Sequence, residues 1–161
     1  MNQRWNKIYE RNKQTDLIYA SEYCEDEKMF RENAIELLVE LGEFVNETKC
    51  FKYWSVKEPI KEKVLDEYAD CILMTLYFYN KLNMEIEISE KEENIDILDL
   101  INETFNLTTK IMNNISEELM KKIFNNLINI GRLLNYNEDE ILDYIELKEK
   151  IVLERLNTEN Y

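Results

Sequence analysis

Apolar positions recur along this chain at helical spacing, and the strict alternation of a half-buried strand is missing. Trp5, Ile8 and Tyr9 form the apolar side of a first predicted helix over residues 3–14. A second helix is predicted over 27–49 and a third from Pro59, which suits a first helical turn, to about Leu82. Between them CFKYWSVK, residues 50–57, mixes aromatics with lysine and reads as a structured loop. Residues 83–93, MEIEISEKEEN, are charged without a period and read as a connection. A fourth helix over 94–113 puts Ile95, Leu98, Ile101, Phe105 and Thr108 on one side. Ser116 suits the N-cap of a fifth, ending near 131–135. Asn137, with Glu140 three residues on, has the form of a capping box opening a last helix to about Arg155. The expected fold class is all-α, a bundle of about five to six helices in a single domain over residues 1–161.

One stripe breaks the ordinary amphipathic pattern. Glu36, Glu40, Glu43 and Glu47 recur at spacings of four, three and four on the second helix. They fall within a strip about 60° wide. The rest of the circumference carries Ile35, Leu37, Leu38, Val39, Leu41, Phe44 and Val45. Four like charges one turn apart repel one another. Something cationic is expected to compensate them, and a metal ion is the economical answer.

Composition narrows the function classes. At 161 residues the chain can bury a real core, and two Gly with one Pro argue against a turn-rich β fold. The net charge of −14 disfavours a nucleic acid polymer as partner, since backbone binding needs clustered Lys and Arg. It is compatible with a nucleotide whose phosphates a divalent cation bridges to carboxylates. Cys24, Cys50 and Cys71 lack metal-binding spacing and read as reduced thiols. The opening MNQRWNKIYERN has no apolar signal core, and the longest apolar run, 68–79, contains Asp70 and is too short to span a bilayer. A soluble, cytoplasmic protein with no membrane partner is expected.

The third helix supplies a second pair of carboxylates. Its stretch YADCILMTLYFY is apolar on every side except at Asp70, and Glu67 shares the face of Asp70. Asp70 is therefore expected to be paired, protonated or bound to a cation. The 24 positions from Glu43 to Glu67 allow the two helices to pack antiparallel with Glu40-x-x-Glu43 facing Glu67-x-x-Asp70. Taken singly, an E-x-x-E is most often a solvated helix face. Two pairs on otherwise apolar helices favour a cation site, because burying charge is costly. Such an all-oxygen set suits Mg²⁺, with Mn²⁺ as the second choice. With no His in the chain, di-iron Glu-x-x-His bundles, zinc hydrolases and His-dependent triads drop out. Hydrolysis of a phosphoanhydride by a carboxylate-activated water remains.

At these residues the chain resembles the all-α NTP pyrophosphatase superfamily, whose motif is E-x-x-E followed by E-x-x-D. Within it, ELLVELGEFVNETKCFKYWS followed by LDEYAD resembles the dimeric, all-helical dUTPases. The closing NIGRLLNYNEDEILDYIELKEKIVLERLNTENY is similar to that family's last helix, and the likeness covers nearly the whole chain. The resemblance implies that Glu40, Glu43, Glu67 and Asp70 hold Mg²⁺, that one of the first pair, Glu40 for preference, activates the water, and that Glu47 adds a ligand or supports one. Glu36 is expected to pair with a basic residue instead. The implied reaction is dUTP hydrolysis to dUMP and pyrophosphate by a homodimer. Lys52, Lys148 and Arg155 are candidates for the phosphates, although each also reads as ordinary surface charge. Trp54 either lines a nucleoside pocket or anchors its loop. Asn12 and Asp16 match the polar positions that contact uracil in the family, and equally suit a helix end.

Three departures from the family pattern bear on the base. Leu73 stands where the family usually has His, Asn12 where it has Gln, and Val152 where the last helix has Asn. Pyrophosphohydrolase chemistry is therefore the firmer implication and uracil selectivity the weaker. Two alternatives stand beside it: a related enzyme acting on dCTP or another nucleotide, and a non-catalytic dimeric helical interaction protein.

Overall fold

A computed structural model describes residues 3–23, 26–90 and 94–158, the side chain of Glu22 excepted. The described residues form seven helices and no strand: α1 (Gln3–Tyr23), α2 (Glu27–Thr48), α3 (Lys61–Lys81), α4 (Ile97–Thr108), α5 (Ile111–Asn114), α6 (Glu117–Leu133) and α7 (Glu138–Asn157). Cys24 and residues 91–93 of the charged connection lie outside the described residues.

The helix signals act where expected at several ends. Ser116 accepts from Leu119 N, and Asn137 and Glu140 form a reciprocal capping box. With only two glycines in the chain, asparagines take three of the four left-handed positions among the described residues, and Lys49 at the end of α2 takes the other. Asn83 follows α3 at φ 52° and Asn135 follows α6 at φ 60°. A short polar side chain tolerates this conformation better than most residues do.

Four expectations need correction. The first helix runs on to Tyr23, because nothing between 14 and 23 breaks it. Pro59 precedes the N-cap, Ile60, and so lies just outside α3. The fourth helix is two pieces, α4 and the single turn α5. On α4 the buried side is Leu100, Ile101, Thr104 and Thr108, while Leu98 is exposed. The fourth lies on α2, which buries one face only. Leu37, Leu41 and Phe44 are inside, but Ile35 and Val39 stand about half exposed.

The central element is α3, packed by α1, α2, α6 and α7. Phe30 meets Phe78 at 5.6 Å and Phe44 meets Tyr68 at 5.2 Å between ring centroids. Numbers rise along α2 as they fall along α3, so the pair is antiparallel. Such tilted and edge-on ring contacts add to the burial of apolar area. Fully buried Tyr68 donates to Leu127 O at 2.9 Å and joins α3 to α6. Along the other side, Arg4 bonds Asp143 at 2.6 Å and Arg11 bonds Glu149 at 2.7 Å. There the numbers rise together, so α1 and α7 run parallel.

Candidate active site

Antiparallel packing of α2 on α3 brings their carboxylates together. One oxygen each from Glu40, Glu67 and Asp70 lie within 4.8 Å of one another. All three side chains are half-buried. Burial first, then the charges of Asp70, Glu43 and Glu67, pushes the Glu40 carboxyl up to about 7. Burial and the charges of Glu43 and Asp70 raise Glu67. Asp70 is raised by burial against the pull of Lys148. Glu40 Oε2 is buried and accepts no hydrogen bond. A buried, unpaired carboxylate oxygen beside two more carboxylates is unfavourable unless a cation joins them. The all-oxygen set therefore fits a hard divalent cation.

The other glutamates of the stripe divide. Glu43 is exposed one turn from Glu40, near enough for its charge to raise both Glu40 and Glu67. Glu47 is half-buried a turn farther on and outside the three-oxygen group. Glu36 lines the cavity with Glu40 and Asp70, and burial with the charge of Asp70 raises its carboxyl.

That cavity, about 380 Å³, lies between α1, α2, α3 and α7. It collects Asn12 and Asp16 from α1, Glu40 from α2, Asp70 from α3, and Lys148 and Arg155 from α7. Lys148 Nζ lies 2.8 Å from Asp70 Oδ2 and 3.0 Å from Asp66 Oδ1. Burial alone would lower its pKa, but these two bonds outweigh it and hold the ammonium above its usual value. Asp16 accepts from Asn80 at 2.8 Å, and burial pushes its carboxyl up to about 6. Leu73 and Val152 form apolar wall at two of the positions where the chain departs from the family pattern.

Lys52 and Trp54 are not brought to this cavity. Lys52 donates to Asn46 Oδ1 at 2.6 Å, and Trp54 is 63% exposed with its ring against Tyr53. Sequence reasoning passed over Glu149 and Arg11. Glu149 is only 5% exposed, lines the cavity, and takes two bonds from Arg11. In the sequence Glu149 looks like any glutamate of a charged helix. Its one signal is its spacing of four residues from Ile145 and three from Val152, which sets the three on one helix face.

No helix among the described residues is long and apolar enough to cross a membrane. No curated protein matches the chain. A family model described as dUTPase matches residues 4–161, essentially its whole length. The chain thus belongs to the all-α dUTPase family, and the match supports dUTP diphosphatase activity.

Proposed function

We propose that the cavity is the active site of this dUTP diphosphatase, releasing dUMP and pyrophosphate with a divalent cation, Mg²⁺ for preference or Mn²⁺. The observation that carries the reading is the convergence of Glu40, Glu67 and Asp70 within 4.8 Å, with Glu40 and Asp70 lining a cavity that also holds Lys148 and Arg155. Glu40, Glu67 and Asp70 would hold the cation, with Glu43 close by and Glu47 behind it. When bound, the cation supplies positive charge that polarises the phosphoanhydride and acidifies water.

The side chains have distinct work. Glu40, which lines the cavity, is the carboxylate that takes the proton of the attacking water. Lys148 and Arg155 meet the phosphates and offset charge gathering on the leaving pyrophosphate. Asn12 and Asp16, on the α1 side, face the nucleoside. Lys52 and Trp54 play no part here, because their loop stands outside the cavity walls.

A homodimer is part of the proposal. Ile35 and Val39 expose apolar surface on α2, and Tyr53, Trp54 and Val56 do so in the following loop. A second copy covering that surface would remove it from water. Light scattering on the purified protein reads this directly, and a strict monomer at micromolar concentration would refute it. The whole chain acts as one domain in this reading, in the cytoplasm.

A second reading, hydrolysis of dCTP or another nucleotide, draws on the apolar wall at Leu73 and Val152. Pyrophosphate release from dUTP, dCTP, dTTP and UTP, with and without Mg²⁺, separates the two. Preference for dUTP with Mg²⁺ is the expected result. Preference for dCTP would transfer the assignment to the second reading, and no turnover of any nucleotide would refute both.

A further inference from the structure

Glu149 stands out among the groups the mechanism leaves unused, and Asn12, already placed toward the nucleoside, shares its main feature. Arg11 Nε and its terminal nitrogen both donate to the same oxygen of Glu149, Oε2, at 2.9 and 2.7 Å. The other oxygen, Oε1, is buried and accepts nothing. Beside Arg11 in the chain, Asn12 is 7% exposed, and its Oδ1 is likewise buried without a donor. Both residues line the cavity. Buried acceptors are nearly always satisfied, and two orphans on one cavity wall mark a place where a ligand brings its own donors.

From this geometry we infer that Glu149 Oε1 accepts a hydrogen bond from an N–H or O–H of the bound nucleoside, and that Arg11 is the positioning residue that turns this oxygen inward. The inference rests on the proposed hydrolysis of a deoxyribonucleoside triphosphate in this cavity and adds a residue that reads the substrate. Two groups of dUTP have the required chemistry, the imino N3–H of the base and the 3′-hydroxyl of the sugar. Arg11 also reaches Glu146 at 3.4 Å, which steadies the guanidinium against α7. A glutamine at 149 would keep the shape but reverse the polarity. Its amide oxygen would face the Arg11 donors, leaving the NH₂ group, a donor, toward the ligand.

The test compares KM and kcat for dUTP, N3-methyl-dUTP and 2′,3′-dideoxy-UTP in the wild-type protein and in Glu149→Gln. One of the two analogues should raise KM at least about tenfold in the wild type, the loss expected when a buried acceptor loses its donor. N3-methyl-dUTP would identify the base and the dideoxy analogue the sugar. Glu149→Gln should raise KM for dUTP by a similar factor with kcat nearly kept, and the sensitive analogue should suffer no further loss in that variant. Arg11→Lys, which keeps the charge but not the paired donors, should fall between the wild type and Arg11→Ala in KM. Equal KM for all three nucleotides in the wild type would overturn the inference, whether or not the variants fold, while leaving dUTP hydrolysis standing. A wild-type protein that hydrolyses none of them would overturn the hydrolase reading and this inference with it.

Discussion

Lys148 Nζ stands 2.8 Å from Asp70 Oδ2, so α7 places an ammonium against the carboxylate cluster of α2 and α3. Asp66 holds the same nitrogen at 3.0 Å. In the proposed mechanism Lys148 partly neutralises the cluster until a metal ion binds, and then turns to the phosphates. Lys148→Met should therefore act in opposite directions on two readouts. Mg²⁺ binding measured by calorimetry should tighten by about threefold or more, because a competing cation is gone. Pyrophosphate release from dUTP should fall at least about tenfold, because a phosphate partner is lost. Weaker Mg²⁺ binding in this variant would contradict the competition.

Glu40 is placed for chemistry at some cost to the fold. Its carboxyl is raised by burial and by three neighbouring acids as well as Glu36. Glu40→Gln removes that repulsion while keeping the shape. Turnover should drop by about 10²-fold or more, as for loss of a general base. The cation-free melting temperature should rise, by about 2–4 °C for each kcal/mol relieved. A variant that is less stable without metal would show that the Glu40 charge is not under strain.

The pH dependence follows from three raised carboxyls. Glu40 and Glu149 are pushed up to about 7 and Asp16 to about 6, burial being the first cause in each. A carboxyl with a higher pKa folded than unfolded binds more protons in the folded state. Its contribution is therefore full below the ordinary carboxylate range and is lost as pH climbs from roughly 4.5 to 7. Melting scans of the cation-free protein should give a higher midpoint at about pH 5.5 than at pH 8. Mg²⁺ should recover more stability at the higher pH, where its ligands are already deprotonated. Melting that is flat across this window, or rises with pH, would contradict these shifts.

Much of this was legible in the sequence, for physical reasons. Capping residues act within one turn, so Ser116 and Asn137 declare themselves locally. The carboxylate pairs show because a charge on an apolar helix face has few explanations. Pairings between distant elements do not show. Arg11 and Glu149 are 138 positions apart, and nothing local marks them as partners. The exposure of Leu98 depends on how α4 turns against α6, which its own spacing does not fix. Lys52 and Trp54 sit together as cation and aromatic in the sequence, but Lys52 bonds Asn46 of α2 and the Trp54 ring meets Phe51 and Tyr53, and neither lines the cavity.

Gly131 offers a test of the packing behind the site. A Cβ there would meet Tyr68 Oη at 3.0 Å and Ile141 Cδ1 at 3.2 Å. Tyr68 is held by its bond to Leu127 O and can give little. Gly131→Ala should cost about 1–3 kcal/mol by overpacking. The urea midpoint should fall accordingly, and an unchanged midpoint would show that α6 and α3 can part without penalty.

The central claim is that α2 and α3 together build the centre that hydrolyses dUTP. Its most direct measurement is the rate of pyrophosphate release from dUTP by Asp70→Asn at saturating Mg²⁺, with the fold checked by circular dichroism. The substitution keeps the shape of the side chain and removes its charge from the three-carboxylate group. A folded protein is expected whose rate is lower by about 10²-fold or more, the size of loss seen when one electrostatic group of an active site is removed. A folded Asp70→Asn protein working within twofold of the wild-type rate would contradict it.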